Sequence, residues 1–189
     1  MIYYKFFSKI YKIGAKQMCQ DCQDFIERGS NILDLGCGSG IVAKEFEKFF
    51  QAKVVGADIK DNRLVKIPFF KIKDNEELPF KDNSFDVVLI SYVLHHSQNP
   101  EKILKEAKRV GKKIIIFEDS PEGVLSKLRC KLHQITFFGG SRKNFNFKKM
   151  KEWEKIFEKL KLKIIAKKRV FTKFNWLDPV KRILFVLRA

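Results

Sequence analysis

Hydrophobic and polar positions along the chain change period repeatedly, and each change marks an element. Over residues 2–28, Ile2, Phe6 and Ile10 recur at helical spacing with Tyr3 and Phe7 beside them. Lys5, Lys9, Lys12 and Lys16 follow the same steps on another face, so the spacing predicts an amphipathic helix stopped by Gly29-Ser30. Short apolar runs predict strands at Asn31–Leu35, Lys53–Ala57, Phe69–Ile72, Phe85–Ile90 and Lys113–Phe117. The fourth run is the kind found in a strand covered on both faces. Between them, helical spacing predicts Ile41–Gln51, a short helix at 61–66 before Pro68, and Glu101–Val110 opened by Pro100. A ragged helix at Pro121–Phe138, ended by Gly139-Gly140, precedes a clearer one at Phe147–Leu160 with Met150, Trp153, Phe157 and Leu160 on one stripe. Two last strands fit Lys161–Lys167 and Arg182–Leu187. Strands alternating with helices predict an α/β fold, a mostly parallel sheet with helices on both faces. In such sheets a ligand sits beyond the carboxyl ends of the strands, where their order reverses.

Composition narrows the class. A chain of 189 residues, 45% hydrophobic and 32% charged, predicts one globular domain and excludes disorder and collagen-like sequence. No apolar run approaches the ~18 residues of a membrane span. The N-terminus lacks an apolar core followed by a small-residue cleavage site, so no secretory signal is expected. Four cysteines without secretion predict reduced thiols and a cytoplasmic setting. Cys19 and Cys22 form a C-x-x-C with no second pair, which reads as a helix face, and no metal site is expected.

Charge changes the picture more. The net charge is +17, and it is uneven: residues 1–120 hold 20 basic and 17 acidic side chains, residues 121–189 hold 19 and 5. A basic C-terminal third suits nucleic acid, an anionic membrane or an anionic substrate. It also suits a solvated face with an AT-rich coding bias, since 31 of the 39 basic residues are Lys and Phe reaches 19. Dedicated phosphate readers favour the bidentate fork of Arg.

The first candidate chemistry follows the first strand, at Leu33-Asp34-Leu35-Gly36-Cys37-Gly38-Ser39-Gly40. Glycines there let the backbone turn sharply and approach a ligand with no Cβ in the way. A dinucleotide fingerprint reads G-x-G-x-x-G. Here the third glycine comes one position early, which argues against a pyrophosphate cradle.

Four stretches in order resemble the class I S-adenosylmethionine (SAM) dependent methyltransferases, most of all the small-molecule branch that includes the ubiquinone/menaquinone-biosynthesis enzymes. They are Asp34-Leu35-Gly36-Cys37-Gly38-Ser39-Gly40, Val54-Val55-Gly56-Ala57-Asp58, Lys73-Asp74-Asn75-Glu76-Glu77-Leu78-Pro79-Phe80, and Phe85-Asp86-Val87-Val88-Leu89-Ile90 with Ser91-Tyr92-Val93-Leu94-His95-His96. The resemblance covers about residues 30–118 well and the rest in outline. It implies a three-layer Rossmann-like fold with a seven-stranded, mostly parallel sheet whose last strand is antiparallel. Residues 1–189 would form one domain, with 1–28 a helical cap and 120–147 an acceptor-side segment. It implies SAM as cofactor, S-adenosylhomocysteine as product, and cofactor-binding positions at Asp34, Gly36, Gly38, Gly40, Asp58, Ile59, Asp74, Asn75 and Ser91. In that reading Asp34 fixes the amino group, Asp58 accepts from both ribose hydroxyls, and Asp74 accepts from the adenine amino group. The sequence departs from the family in two places. Asp58 to Asp74 is only 16 residues, and the turn before the fifth strand shrinks to Val110-Gly111-Lys112-Lys113.

His95 is the candidate catalytic base, since it follows strand four and an unperturbed pKa of ~6.5 suits proton transfer. The alternative is that His95 and His96 line a wall. Tyr92 either shapes the acceptor or packs, and His133 reads as a surface or core residue. Ser91-Tyr92-Val93-Leu94 differs from the N-P-P-Y-like residues of base N-methylating members, and no Pro-Cys pair for pyrimidine carbon methylation occurs. The expected acceptor is therefore a small molecule, lipid-like or anionic. RNA or another macromolecule is the rival, and a SAM-binding protein without transfer activity is the second. Residues 1–16 either touch an anionic membrane or pack over the cleft, and no stable protein partner is expected.

Overall fold

The computed structural model describes residues 8–73, 77–138, 147–170 and 180–188, with backbone alone at 133–138. The described residues form five α-helices and seven strands: α1 (Ser8–Cys22), β1 (Asn31–Leu35), α2 (Ile41–Phe50), β2 (Lys53–Asp58), β3 (Phe69–Lys71), β4 (Phe85–Ser91), α3 (Pro100–Val110), β5 (Gly111–Ser120), α4 (Val124–Phe138), α5 (Met150–Lys159), β6 (Lys163–Val170) and β7 (Lys181–Arg188). The strands form one sheet in the order β3-β2-β1-β4-β5-β7-β6. β1 to β5 pair in parallel, and β7 runs antiparallel to both β5 and β6. This is the mostly parallel seven-stranded sheet expected from the resemblance. Its order reverses between β1 and β4, and the carboxyl ends of those strands are where sheets of this kind take their ligands.

The strands alternate their side chains between two cores, as the pleat requires. Ile32, Val87, Leu89, Ile115 and Phe117 face α1 and α2, where Met18, Cys19, Cys22, Phe46 and Phe50 cover them. Leu33, Val88, Ile90, Ile114 and Ile116 face the other way, against Leu104, Ala107 and Val110 of α3 and Trp153 and Phe157 of α5. Cys19 and Cys22 are thus a helix face in the core, both free thiols. Burial pushes the Cys19 thiol up to about 12, which keeps it protonated and unreactive.

Local chemistry sets the ends. The Asn99 side chain accepts the Lys102 N–H at 3.1 Å and Pro100 opens α3. At its far end α3 passes straight into β5 through Gly111, where a Cβ would fall 2.4 Å from Val88 Cγ2. That explains the shortened turn seen in the sequence. Arg109 on α3 donates to the carbonyls of Leu78 and Phe80, at 2.9 and 2.7 Å, and clamps the segment after β3.

Two expectations are corrected. The first helix ends at Cys22, followed by a single 3-10 turn at Gln23–Phe25. Ile26 is extended and buried, which pulls the chain out of the helix before Gly29. Residues 61–66 form no helix. Asp61 takes the Arg63 N–H and guanidinium, Arg63 donates to the Ile67 carbonyl at 2.6 Å, and the Leu64 N–H goes to Ser39 O at 2.9 Å. Side chains and a neighbouring loop take the polar groups there that a helix would pair within itself.

Among the described residues no helix is long and apolar enough to cross a membrane. Part of the basic excess lies on β6, an edge strand where Lys163, Lys167, Lys168 and Arg169 are exposed. Charged side chains on an edge discourage pairing with another chain. Several basic residues are also paired: Lys167 with Glu154, Lys159 with Glu101, and Lys181 and Arg169 with Glu122.

Candidate functional site

The glycine turn joins β1 to α2 at the reversal of strand order. Gly36, Gly38 and Gly40 have φ of +82°, +50° and +73°, the left-handed region that side chains with a Cβ disfavour. Gly36 and Cys37 donate to the Ala57 carbonyl at 2.7 and 3.3 Å, and Gly40 donates to Cys37 O at 2.8 Å. Gly36 is also needed for space, because a Cβ there would fall 2.4 Å from Val93 Cγ2. The turn is therefore pressed against the loop after β4, and strands one, two and four share one crevice.

Two carboxylates lie beside the turn. Asp58 ends β2, accepting the Gly38 N–H at 2.8 Å on Oδ2 and the Lys60 N–H at 3.2 Å on Oδ1. These bonds fix its plane and leave a lone pair on each oxygen, enough for two hydroxyls. Asp34 sits one residue before the end of β1 and is 1% exposed. Neither of its oxygens accepts a hydrogen bond of standard geometry. Burial, then the neighbouring Asp58 charge, raise its pKa from 3.8 to about 7, with the Ala43 amide offsetting part of the rise. A buried carboxylate whose oxygens lack a well-formed hydrogen bond, set near the end of a strand where such sheets take their ligands, suits a cation or donor.

Among the other sequence-predicted positions, Ile59 is exposed beside Asp58, and Ser91 ends β4, half-buried. Asp74 and Asn75 lie outside the described residues, as do the first seven residues of the proposed cap and residues 139–146 of the acceptor-side segment. The side chain of His133 is likewise outside them. The orphaned Asp34, the oriented Asp58 and the bare glycine backbone fit the parts of SAM: an ammonium, a diol and a chain without phosphates.

The end of β4 carries the second group of residues. Tyr92 has φ +56°, a strained conformation for an aromatic residue, secured by its N–H to Phe117 O at 2.8 Å. Its ring packs on the α1/α2 core, which favours the packing role over contact with an acceptor. Burial raises its pKa, so the phenol stays protonated.

His95 follows in a 3-10 turn (Leu94–His96) and is 2% exposed. Its Nδ1 lies 2.6 Å from Glu118 Oε2, and Glu118 Oε1 accepts the Leu94 N–H at 2.7 Å. Burial opposes a charge on the ring, yet the Glu118 carboxylate and its hydrogen bond outweigh it, so the His95 pKa is raised. Phe147 stacks on the imidazole at 4.6 Å between ring centroids, 14° from parallel. His95 is thus a buried imidazole wired to a buried carboxylate.

Glu118 and Phe147 are what sequence reasoning missed. The signal for Glu118 was a carboxylate directly after the apolar run Ile114–Phe117. Phe147 was legible only as one aromatic residue of the acceptor-side segment 120–147, not as a partner of His95. Phe147 also lines an open cavity of about 370 Å³ with Pro121, Lys127, Cys130, Lys131, Lys149 and Glu152. That volume suits a small molecule.

Residues 33–116 match the family model described as a methyltransferase domain. The chain is 34% identical over 155 residues to the uncharacterized protein MJ1123 of Methanocaldococcus jannaschii, covering 79% of this chain and 73% of that protein. It is 35% identical over 108 residues to the human mitochondrial arginine-hydroxylase NDUFAF5, covering 53% of this chain and 31% of that one. It is 32% identical over 123 residues to the ubiquinone/menaquinone biosynthesis C-methyltransferase UbiE of Idiomarina loihiensis, covering 56% and 48%. The chain thus spans about a third to a half of the length of the last two relatives. Among solved structures, phosphoethanolamine N-methyltransferase 2 of Haemonchus contortus, in complex with phosphomonomethylethanolamine and S-adenosylhomocysteine, superposes with a TM-score of 0.70 at 17% identity, covering 92% of this chain and 52% of that one. The motif order, the sheet topology, the carboxylates of the glycine crevice and these likenesses agree, and the chain belongs to the class I SAM-dependent methyltransferases.

Proposed function

We propose that this protein transfers the methyl group of SAM to a small anionic acceptor held between α4 and the segment Phe147–Glu152. The observation that carries the reading is the continuity from His95 through the stacked Phe147 ring into a cavity lined by Lys127, Lys131 and Lys149. Three lysines and one carboxylate line it, and that carboxylate, Glu152, already accepts the Lys149 backbone N–H at 2.8 Å. An anion entering such a cavity meets a field of favourable sign.

When bound, SAM supplies an electrophilic methyl on a sulfonium, chemistry that asks the protein mainly for alignment. In this reading Asp58 holds the ribose hydroxyls, Asp34 holds the amino group, and Ile59 and Ser91 border the same crevice. With Nδ1 donating to Glu118, the proton-accepting atom of His95 is Nε2. Glu118 acts as a positioning residue, fixing the tautomer and stabilising the imidazolium that forms. That service is needed when the acceptor atom must lose a proton.

RNA is the rival acceptor that the basic third invites. The small-molecule reading is favoured because several of those basic side chains lie on the β6 edge or pair with carboxylates. The test is labelled SAM with a panel of phosphorylated and carboxylated small molecules, and with RNA. Lys127→Ser/Lys131→Ser should raise the KM for the acceptor about tenfold while calorimetric SAM affinity stays constant. An unchanged KM, or label on RNA alone, would overturn the reading.

A further inference from the structure

Over residues 124–132 the helix α4 (Val124–Phe138) turns two unlike faces to its surroundings. Ser126 and Cys130 are 1% and 5% exposed, and Ser126 Oγ donates to the carbonyls of Glu122 and Gly123 at 2.6 and 3.0 Å. That face is tucked into the protein. The opposite face carries Val124, Leu125, Leu128 and Leu132, which are 82, 71, 62 and 52% exposed. A surface helix ordinarily does the reverse, with its apolar stripe inward.

At about 100° per residue, the four exposed aliphatic side chains fall within a single arc of about 100°. Lys127 and Lys131 border that arc on one side and Arg129 on the other, and no acidic residue occurs from Val124 to Leu132. An apolar stripe with cations along both margins is the arrangement of a helix lying in the plane of an anionic lipid surface, aliphatic groups among the acyl chains and cations at the headgroups. The first helix is less suited. Its exposed aliphatic side chains among the described residues are Ile10 and Ile13, and Lys12 already approaches Glu45 at 3.9 Å.

We propose that α4 docks this protein onto an anionic lipid bilayer through Val124, Leu125, Leu128 and Leu132. Lys127 and Lys131 border both the stripe and the cavity, so docking brings the cavity to headgroup level. The docking stands independently of the methyl-transfer reading.

The test is sedimentation of the full chain with vesicles of equal parts phosphatidylglycerol and phosphatidylcholine, and with phosphatidylcholine alone. The chain should pellet with the mixed vesicles and stay in solution with the neutral ones. Leu125→Ser/Leu128→Ser should lower the bound fraction about tenfold or more, with circular dichroism unchanged. Arg129→Glu/Lys131→Glu, which keeps the aliphatic stripe, should also release the protein. Ile10→Ser/Ile13→Ser should bind as the parent does. The proposal is overturned if the parent binds neither vesicle, if the α4 variants bind undiminished, or if only the α1 variant is released. It is equally overturned if the stripe supports a concentration-dependent dimer, lost in Leu125→Ser/Leu128→Ser, with no vesicle binding.

Discussion

Asp34→Asn should make the ligand-free protein more stable at mildly alkaline pH and a poorer binder of SAM. The first half follows from linkage. The Asp34 pKa rises from 3.8 to about 7 in the fold, because burial and the Asp58 charge oppose ionisation. The folded state therefore holds its proton more tightly than the unfolded chain. Stability attached to that proton is complete below the unfolded value, and it is lost as pH rises towards the folded value. At ~1.36 kcal/mol per pKa unit, the full loss is about 4 kcal/mol, of which about 3 kcal/mol falls between about pH 5 and pH 8. Asparagine keeps the shape and cannot ionise, so the variant escapes this loss. Its amide will lack partners, as the carboxyl does, which costs roughly 1–3 kcal/mol at every pH. Urea unfolding of both proteins at the two pH values isolates the pH-dependent part. The stability difference, variant minus parent, should grow by about 3 kcal/mol from about pH 5 to pH 8. SAM affinity should fall roughly 10- to 100-fold, the worth of a charge-assisted hydrogen bond. A difference that does not change with pH, or a variant that binds SAM as well as the parent, would refute the assignment of Asp34 as a buried charge kept for a ligand.

Glu118→Gln leaves the burial of His95 in place and removes the carboxylate that outweighs it, so the His95 pKa should fall below its ordinary value. In the parent, the raised pKa contributes stability that is complete below about pH 6.5 and lost as pH rises through the folded-state value. That loss should vanish in the variant, and the rising limb of its pH–rate profile should move to lower pH. A limb that stays in place removes His95 from proton transfer. Gly36→Ala forces a Cβ into both a left-handed turn and the Val93 methyls, and should lower stability by about 2 kcal/mol or more in urea titration. A smaller effect would mean that the β1 turn and the β4 loop are not pressed together.

Much of the fold was legible in the sequence where local pattern and tertiary context agree. The Asn31 start of β1, the Ile41 start of α2 and the Phe85 start of β4 fall where the apolar runs place them. The glycine turn and Asp58 were legible too, because their chemistry is contiguous in the chain. The helix expected at 61–66 failed because Asp61 and Arg63 bond to each other and to backbone groups outside any helical ladder. The first helix reads on to Gly29-Ser30 in the sequence because no breaker stands between Cys22 and them, while Ile26 is drawn into the core as extended chain. The His95–Glu118 pair joins residues 23 apart, and Phe147 reaches His95 from farther still. Such contacts depend on strand order, which periodicity does not carry. The exposed face of α4 hid for a related reason: a leucine stripe reads as core until the fold shows which side is covered.

Calorimetric titration of SAM into the parent protein and into Asp58→Ala tests most directly whether the glycine turn and its carboxylates hold the cofactor. The parent should bind one SAM per chain. The variant, with the Gly38 and Lys60 N–H groups left to water, should lose measurable binding while keeping its circular dichroism and urea midpoint. Equal affinity in the two proteins, or no binding to the parent, would contradict the account.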